Sequence, residues 1–121
     1  MSFAVSDAVS QVLASALDGV SLRQRVIADN IANVDTPGFR ATSVDFETQL
    51  KAAISDGSFE NGVDHIDATT TPTDTPVGAN GNNVDLRKET MAAVQSQFQY
   101  QILTRAVSER FNLVKTAATG M

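Results

Sequence analysis

Ile27-Ala-Asp-Asn-Ile-Ala-Asn-Val-Asp-Thr-Pro-Gly-Phe39 closes a long amphipathic segment and then turns the backbone. Asn30 and Asn33 lie three apart, so on a helix they share a face near the place where the apolar pattern stops. Asparagine is poor inside helices because its amide competes for backbone partners, yet it tolerates the conformations that end them. Pro37 fixes its own φ and pushes Thr36 out of the helical region, so no helix continues through this point. Gly38 after Pro37 fits the third position of a type II turn, which needs positive φ. Phe39, the fourth turn residue, is placed to fold back as an apolar anchor. A generic helix stop followed by a turn carries the same signature. The stretch reads as a rigid junction between a helical stem and an extended arm, and nothing in it resembles catalytic machinery.

Upstream, Val9, Leu13, Ala16, Val20, Ile27 and Val34 follow a 4-3 spacing that Arg23 and Asn30 interrupt. Val12, Leu17, Val26 and Ile31 widen this stripe, and the period predicts an amphipathic helix over 1–35. Ser6 or Asp7 is placed to cap its start, while Gly19 weakens it by ~1 kcal/mol relative to alanine. After the junction, 36–55 reads as turn, extended arm and a short helix near Asp45–Ser55, from Val44, Phe46, Leu50, Ala53 and Ile54. Residues 84–121 read as a second long helix, opened by Asp85 as cap. Its main stripe is Met91, Val94, Phe98, Ile102, Ala106 and Leu113, with Leu103, Val107, Phe111 and Val114 as a second row. Two rows imply more than one neighbour.

Between these helices, 56–83 carries Pro72, Pro76, four glycines and five acids without a lysine or arginine. Such a composition buries too little apolar area to offset its ordering entropy, so the segment is expected to be a flexible loop outside the packed seam. Val63 and Ile66 would allow a brief strand there. The expected fold is mainly α: two long terminal amphipathic helices in a coiled-coil-like hairpin, with a short helix and a long irregular middle, together one small domain. Val9, Leu13, Val20, Ile27, Met91, Phe98, Ile102 and Leu113 are the expected helix-packing positions, for the hairpin and for whatever further neighbour its second row implies.

Composition narrows the function. The chain has 121 residues, is 42% hydrophobic, and contains no tryptophan and one tyrosine, which suits thin helix-on-helix seams better than a thick core. A net charge of −5 argues against nucleic acid, whose phosphates need clustered lysine and arginine. The lack of cysteine excludes disulfides and thiolate metal sites. No run approaches the ~20 apolar residues of a membrane span, and the first segment lacks the features of a cleaved signal peptide. Composition alone therefore predicts a soluble cytoplasmic protein. His65, the single histidine, lies between Asp64 and Asp67 without a nucleophile or second ligand class at defined spacing. No catalytic residue, metal site or cofactor is expected, and a small hydrolase built on Asp64, His65 and Asp67 is a remote alternative. A cytoplasmic helical adaptor that dimerises through its two stripes is another.

Two blocks carry a family resemblance. Ala28-Asp-Asn-Ile-Ala-Asn33 followed by Thr36-Pro-Gly-Phe39 resembles the N-terminal signature of flagellar basal-body rod proteins and their hook relatives, many of which have tyrosine where Phe39 stands. Gly81-Asn-Asn-Val-Asp-Leu-Arg-Lys-Glu89, ahead of Phe98-Gln-Tyr-Gln-Ile-Leu-Thr104, is similar to the proximal rod members in particular, with a sibling C-type subunit as the alternative. The resemblance covers roughly 5–55 and 81–118. It implies a self-associating structural subunit of the periplasmic rod, exported by the flagellar type III apparatus without a cleaved signal. Its implied partners are other rod subunits and basal-body or export-gate proteins, with no small-molecule substrate and no membrane span. Asn30, Asn33, Thr36, Pro37, Gly38 and Phe39 would hold the angle at which the chain leaves the helical tube. Phe46-Glu-Thr-Gln-Leu50 fits the Phe-x-x-x-hydrophobic pattern by which the export gate recognises early substrates in this family. The alternative is that Phe46 and Leu50 pack against the long helices.

Overall fold

The computed structural model describes residues 3–59, 61 and 67–119. In chain order the elements are α1 (Phe3–Ala32), β1 (Thr42–Val44), α2 (Glu47–Ser55), β2 (Thr70–Pro72) and α3 (Leu86–Thr119). Helix α1 begins upstream of Ser6 and Asp7, so neither is its cap. Asp85 does cap α3: its carboxylate accepts the Lys88 N–H at 3.2 Å, satisfying a donor that the first turn leaves open. Asp45 serves α2 in the same way, accepting the Thr48 N–H at 3.3 Å and the Thr48 hydroxyl at 2.9 Å. Those two bonds hold the Asp45 carboxyl below its ordinary range.

The long helices run antiparallel. Asn30 meets Glu89, Gln24 meets Gln97, Arg23 meets Gln99, and Leu103 packs beside the buried Ala16 and Val20. A mainly helical hairpin is thus what the chain forms, and only part of the expected helix-packing set lies in its seam. Val20 and Ile27 are buried and Leu13 is partly buried, whereas Val9 lies at the margin. Met91, Phe98, Ile102 and Leu113 are 68%, 62%, 65% and 64% exposed, although Ile102 borders a pocket with Ala16 and Val20 of α1. The row of α3 turned inward is Glu89, Ala92, Ser96, Gln99, Leu103 and Ala106. The reason lies on α1, whose inner face includes Arg23 and Asn30. Buried polar groups need polar partners, and Gln99 and Glu89 supply them where an apolar stripe could not.

The middle of the chain carries one short strand among its described residues. Strand β2 pairs antiparallel with β1, Thr42 opposite Pro72 and Val44 opposite Thr70. Strand β2 lies within the 56–83 segment read as a flexible loop, and its partner β1 in the arm before α2. The apparent strand formers Val63 and Ile66, like Asp64 and His65, fall outside the described residues.

Two small apolar clusters seat the arm on α1. The first holds Ala16, Val20, Val44 and Phe46, and the second Ala8, Ala53 and Phe59, with Leu50 partly buried against both. Gly19 has a specific purpose here. A Cβ built on it would lie 2.3 Å from the Phe46 ring, so the helix gives up a side chain to let that ring lie on its backbone. Among the described residues, no helix is long and apolar enough to cross a membrane.

Candidate assembly junction

The junction is built as its sequence suggests and then braced from a direction the N-terminal stretch does not reveal. Helix α1 ends at Ala32 and the chain tightens through Val34 N–H to Ile31 C=O and Thr36 N–H to Asn33 C=O. Phe39 N–H then donates to Thr36 C=O at 3.2 Å across Pro37 and Gly38, with Gly38 at φ +75°. This is the type II geometry that Pro-Gly favours. Asn33 serves the turn locally: its amide donates to the Asp29 carbonyl at 2.8 Å, and its side-chain oxygen accepts the Thr36 hydroxyl at 3.0 Å. Phe39 is partly buried but enters neither apolar cluster. Its backbone contributes instead, because its carbonyl accepts the Asn83 N–H at 3.2 Å.

Three further asparagines or their neighbours turn this corner into a brace. Asn30, 1% exposed, donates to the Thr42 carbonyl at 2.8 Å and to the Glu89 carboxylate at 3.1 Å, while accepting the Thr42 N–H at 3.3 Å. A primary amide has one acceptor and one donor end, so it completes Thr42 much as a neighbouring strand would. Asn82 donates to the carbonyls of both Asn33 and Thr36 at 2.8 Å and accepts the Val84 N–H at 2.7 Å. Asn83 accepts the Ala41 N–H at 2.6 Å and donates to the Thr75 carbonyl at 3.2 Å. Gly38 N–H reaches the Asn80 carbonyl at 2.9 Å. Above it Gly81, at φ +81°, lies so close that an added Cβ would meet the Gly38 Cα at 3.2 Å. The 78–84 loop therefore lies flat on the Pro-Gly turn.

A second anchor sits two turns back along α1. The Arg23 guanidinium forms a fork on the Glu47 carboxylate at 2.8 and 2.5 Å, and also donates to the Val44 carbonyl at 2.6 Å and to Gln99 at 3.0 Å. Its plane lies 4.9 Å from the centre of the Phe46 ring. Arg23 thereby joins α1, the arm, α2 and α3 through one side chain. Its hydrogen bonds to Glu47 are the main cause holding that carboxyl below its ordinary range. Phe46 is consequently 5% exposed and Leu50 partly buried, so in the folded chain this pair is packing and not a free motif.

Asn30, Asn33, Thr36, Gly38 and the Phe39 backbone are thus brought together, with Pro37 exposed at the corner. Asn82, Asn83, Glu89 and Arg23 share the work but stand out in the sequence only as a second block and as a break in a stripe. The arrangement holds no proton-transfer or nucleophile geometry. Among the described residues there is no cluster of three or more potential metal ligands. The brace ties the corner together: each buried amide pairs with backbone that no helix or sheet satisfies.

Both halves of the brace lie inside regions of similarity to known proteins. Residues 11–40, which span most of α1 and the turn, match the family described as flagella basal body rod protein. Over 119 residues the chain is 36% identical to the flagellar basal body rod protein FlgB of Bacillus subtilis, covering 91% of this chain and 92% of that protein. It is 34% identical to FlgB of Escherichia coli over 84% of this chain and 86% of the relative. The corresponding protein of Borreliella burgdorferi is 32% identical, over 81% and 86%. The chain belongs to the flagellar basal body rod protein family.

Proposed function

We propose that this structural component of the flagellar basal body rod is its proximal subunit, exported without a cleaved signal into the periplasm and completing its packing there against neighbouring axial subunits. One observation carries this reading. The chain spends its polar side chains inward on the brace and leaves Met91, Val94, Phe98, Ile102, Phe111 and Leu113 more than half exposed. Apolar surface of this extent marks an interaction face. The partners are other rod subunits, further copies of this chain and basal-body proteins at the export gate. An isolated hairpin with such faces is marginal in water, so ordering and assembly are coupled.

Phe46 and Leu50 fit into the same scheme in time. Recognition of the pair by the export gate takes place before folding, while the Phe46 ring has not yet settled on Gly19. Once the hairpin forms, the same residues become core.

The test is complementation of a bacterium lacking its own FlgB, with rods scored by electron microscopy of basal bodies. Restored rods and motility are expected from the unsubstituted chain. A secreted, stable chain that never enters a rod would overturn the reading. For the export step, a Phe46→Ala variant is expected to be secreted several-fold less. Undiminished secretion would remove the pair from export and leave it as packing alone.

A further inference from the structure

Two asparagine–glycine pairs stand in the middle of the chain, Asn61–Gly62 and Asn80–Gly81. Glycine leaves the nitrogen after an asparagine uncrowded by any Cβ, so in a flexible chain that nitrogen reaches the side-chain amide carbon. Asn80–Gly81 sits where the 78–84 loop rests on the Pro-Gly turn, and every rotation that would bring these two atoms together is tied down there. The Asn80 carbonyl accepts the Gly38 N–H at 2.9 Å, and the Gly81 N–H donates to the Gly78 carbonyl at 3.0 Å. The Asn80 side-chain oxygen accepts the Asn82 N–H at 3.1 Å. A bond of 2.8 Å from the Gly78 N–H to the Asn82 carbonyl closes the loop.

We infer that Asn80–Gly81 is a deamidation site that folding closes: it reacts in the unfolded chain and is held unreactive by the brace, whatever the protein assembles with. The reaction needs only water. The Gly81 nitrogen gives up its proton and bonds to the Asn80 Cγ, the Cγ–Nδ2 bond breaks, and ammonia leaves with that proton. Water then opens the cyclic imide at one of its two carbonyls, leaving aspartate or isoaspartate at position 80. The folded loop opposes the first step in three ways. The Gly78 carbonyl keeps the proton on the attacking nitrogen, turning the 80–81 peptide breaks the bond to Gly38, and turning the side chain breaks the bond to Asn82. Asn80 is itself exposed, so the protection is conformational and does not come from exclusion of water. Reaction proceeds only from an opened loop, and its rate follows the population of that open form. The product matters to the fold. Isoaspartate routes the main chain through the former side chain and lengthens it by a methylene, which displaces Asn82 from the Asn33 and Thr36 carbonyls it meets at 2.8 Å.

The test incubates the full chain at mildly alkaline pH, in buffer and in guanidinium chloride, and locates isoaspartate by peptide mass spectrometry. In denaturant, Asn80 and Asn61 are expected to convert at similar rates, because each precedes a glycine. In buffer, conversion at Asn80 is expected to be at least about ten-fold slower than in denaturant. Equal rates at Asn80 in the two solvents would overturn the proposal. Asn82→Ala removes the amide that seats the loop on the turn but leaves the reacting pair intact. Its Asn80 is expected to convert several-fold faster than the parent's in buffer and no faster in denaturant; a parental rate in buffer would mean that the brace is not what protects it. Gly81→Ala crowds the attacking nitrogen and is expected to slow conversion several-fold in denaturant. An undiminished rate there would rule out the imide route. Chains carrying isoaspartate at position 80, separated and returned to buffer, are expected to unfold at a lower urea concentration than the parent. An unchanged midpoint would sever the modification from the brace.

Discussion

At the junction end of the hairpin, Asn30, Asn82 and Asn83 are 1%, 8% and 5% exposed, and their amides are paired inside the chain. Toward the open end, Phe111, Leu113 and Val114 are 68%, 64% and 51% exposed. The difference separates two duties of one subunit. Hydrogen bonds are directional, and when all of them close internally they hold one geometry without help from a neighbour. Apolar contact is non-directional and proportional to area, so left unspent it is available to whichever complementary surface arrives. The junction closes its polar groups on one geometry, and the open end leaves its apolar surface unspent. Substitutions at the two ends should therefore fail in opposite assays.

The largest effect is expected where the brace is driest. Asn30→Leu keeps the volume but strands the Thr42 N–H, the Thr42 carbonyl and the Glu89 carboxylate away from water. A loss of about 3 kcal/mol follows from leaving such groups unsatisfied. The urea midpoint read by circular dichroism checks it. Leu113→Ser at the other end is expected to change monomer stability by less than ~0.5 kcal/mol, since exposed positions contribute little to folding. Equal losses at Asn30 and Leu113 would erase the contrast between the two ends.

Gly19 sharpens the comparison because its effect should change sign. In the parent, Gly19→Ala forces the Phe46 ring off the helix, with an expected loss of about 2 kcal/mol from overpacking. In a Phe46→Ala background the clash is gone and only helix propensity remains, so the same change should gain up to ~1 kcal/mol. A double-mutant cycle measures both. If Gly19→Ala is harmful in both backgrounds, the ring is not what the glycine accommodates.

The turn glycines come next. Gly38 has no atom within reach of an added Cβ, so Gly38→Ala pays only for positive φ, about 1–2 kcal/mol. Gly81→Ala pays the same torsional cost and in addition presses on the Gly38 backbone. It should be the more damaging of the two. Gly38→Val, whose β-branch resists positive φ further, is expected to impair rod assembly as well as folding. Equal damage at Gly38 and Gly81 would mean that the 78–84 loop does not rest on the turn.

These positions also show how far the sequence can be read. The hairpin was legible because 4-3 periodicity sustained over thirty residues has few other meanings. The turn was legible because Pro37 and Gly38 act through local stereochemistry, which a neighbour does not change. The brace was not, because its partners are 49 and 59 residues apart, as in Asn82 to Asn33 and Asn30 to Glu89. An asparagine's type says that it will pair with backbone, not whose backbone. How the packing positions divide between the hairpin and other neighbours was not legible either. Periodicity identified the apolar stripe of α3 but carried no information on whether the chain itself or another subunit covers it. Strand β2 was hidden because Thr70–Pro72 is exposed throughout and has no apolar alternation, its order coming from the main chain of β1.

The smallest expected effect probes the second anchor by pH. Glu47 has its folded pKa depressed below the ordinary 4.5, chiefly by the Arg23 hydrogen bonds. Its contribution is therefore fully present above the unfolded value and is lost as pH falls through the depressed one. The Glu47 side chain is 50% exposed and Arg23 17%, so solvent screens the pair and its worth is about 0.2–1 kcal/mol. Glu47→Gln should accordingly lower stability slightly at neutral pH and flatten the acid limb of the stability curve. Added salt should shrink the difference between the two proteins. By contrast, a change at the open end such as Leu113→Ser should leave that acid limb untouched, because no titrating group is held there by the exposed side chain. An acid limb identical in Glu47→Gln and the parent would mean that Arg23 anchors the arm through Val44, Gln99 and Phe46, without an electrostatic contribution from Glu47.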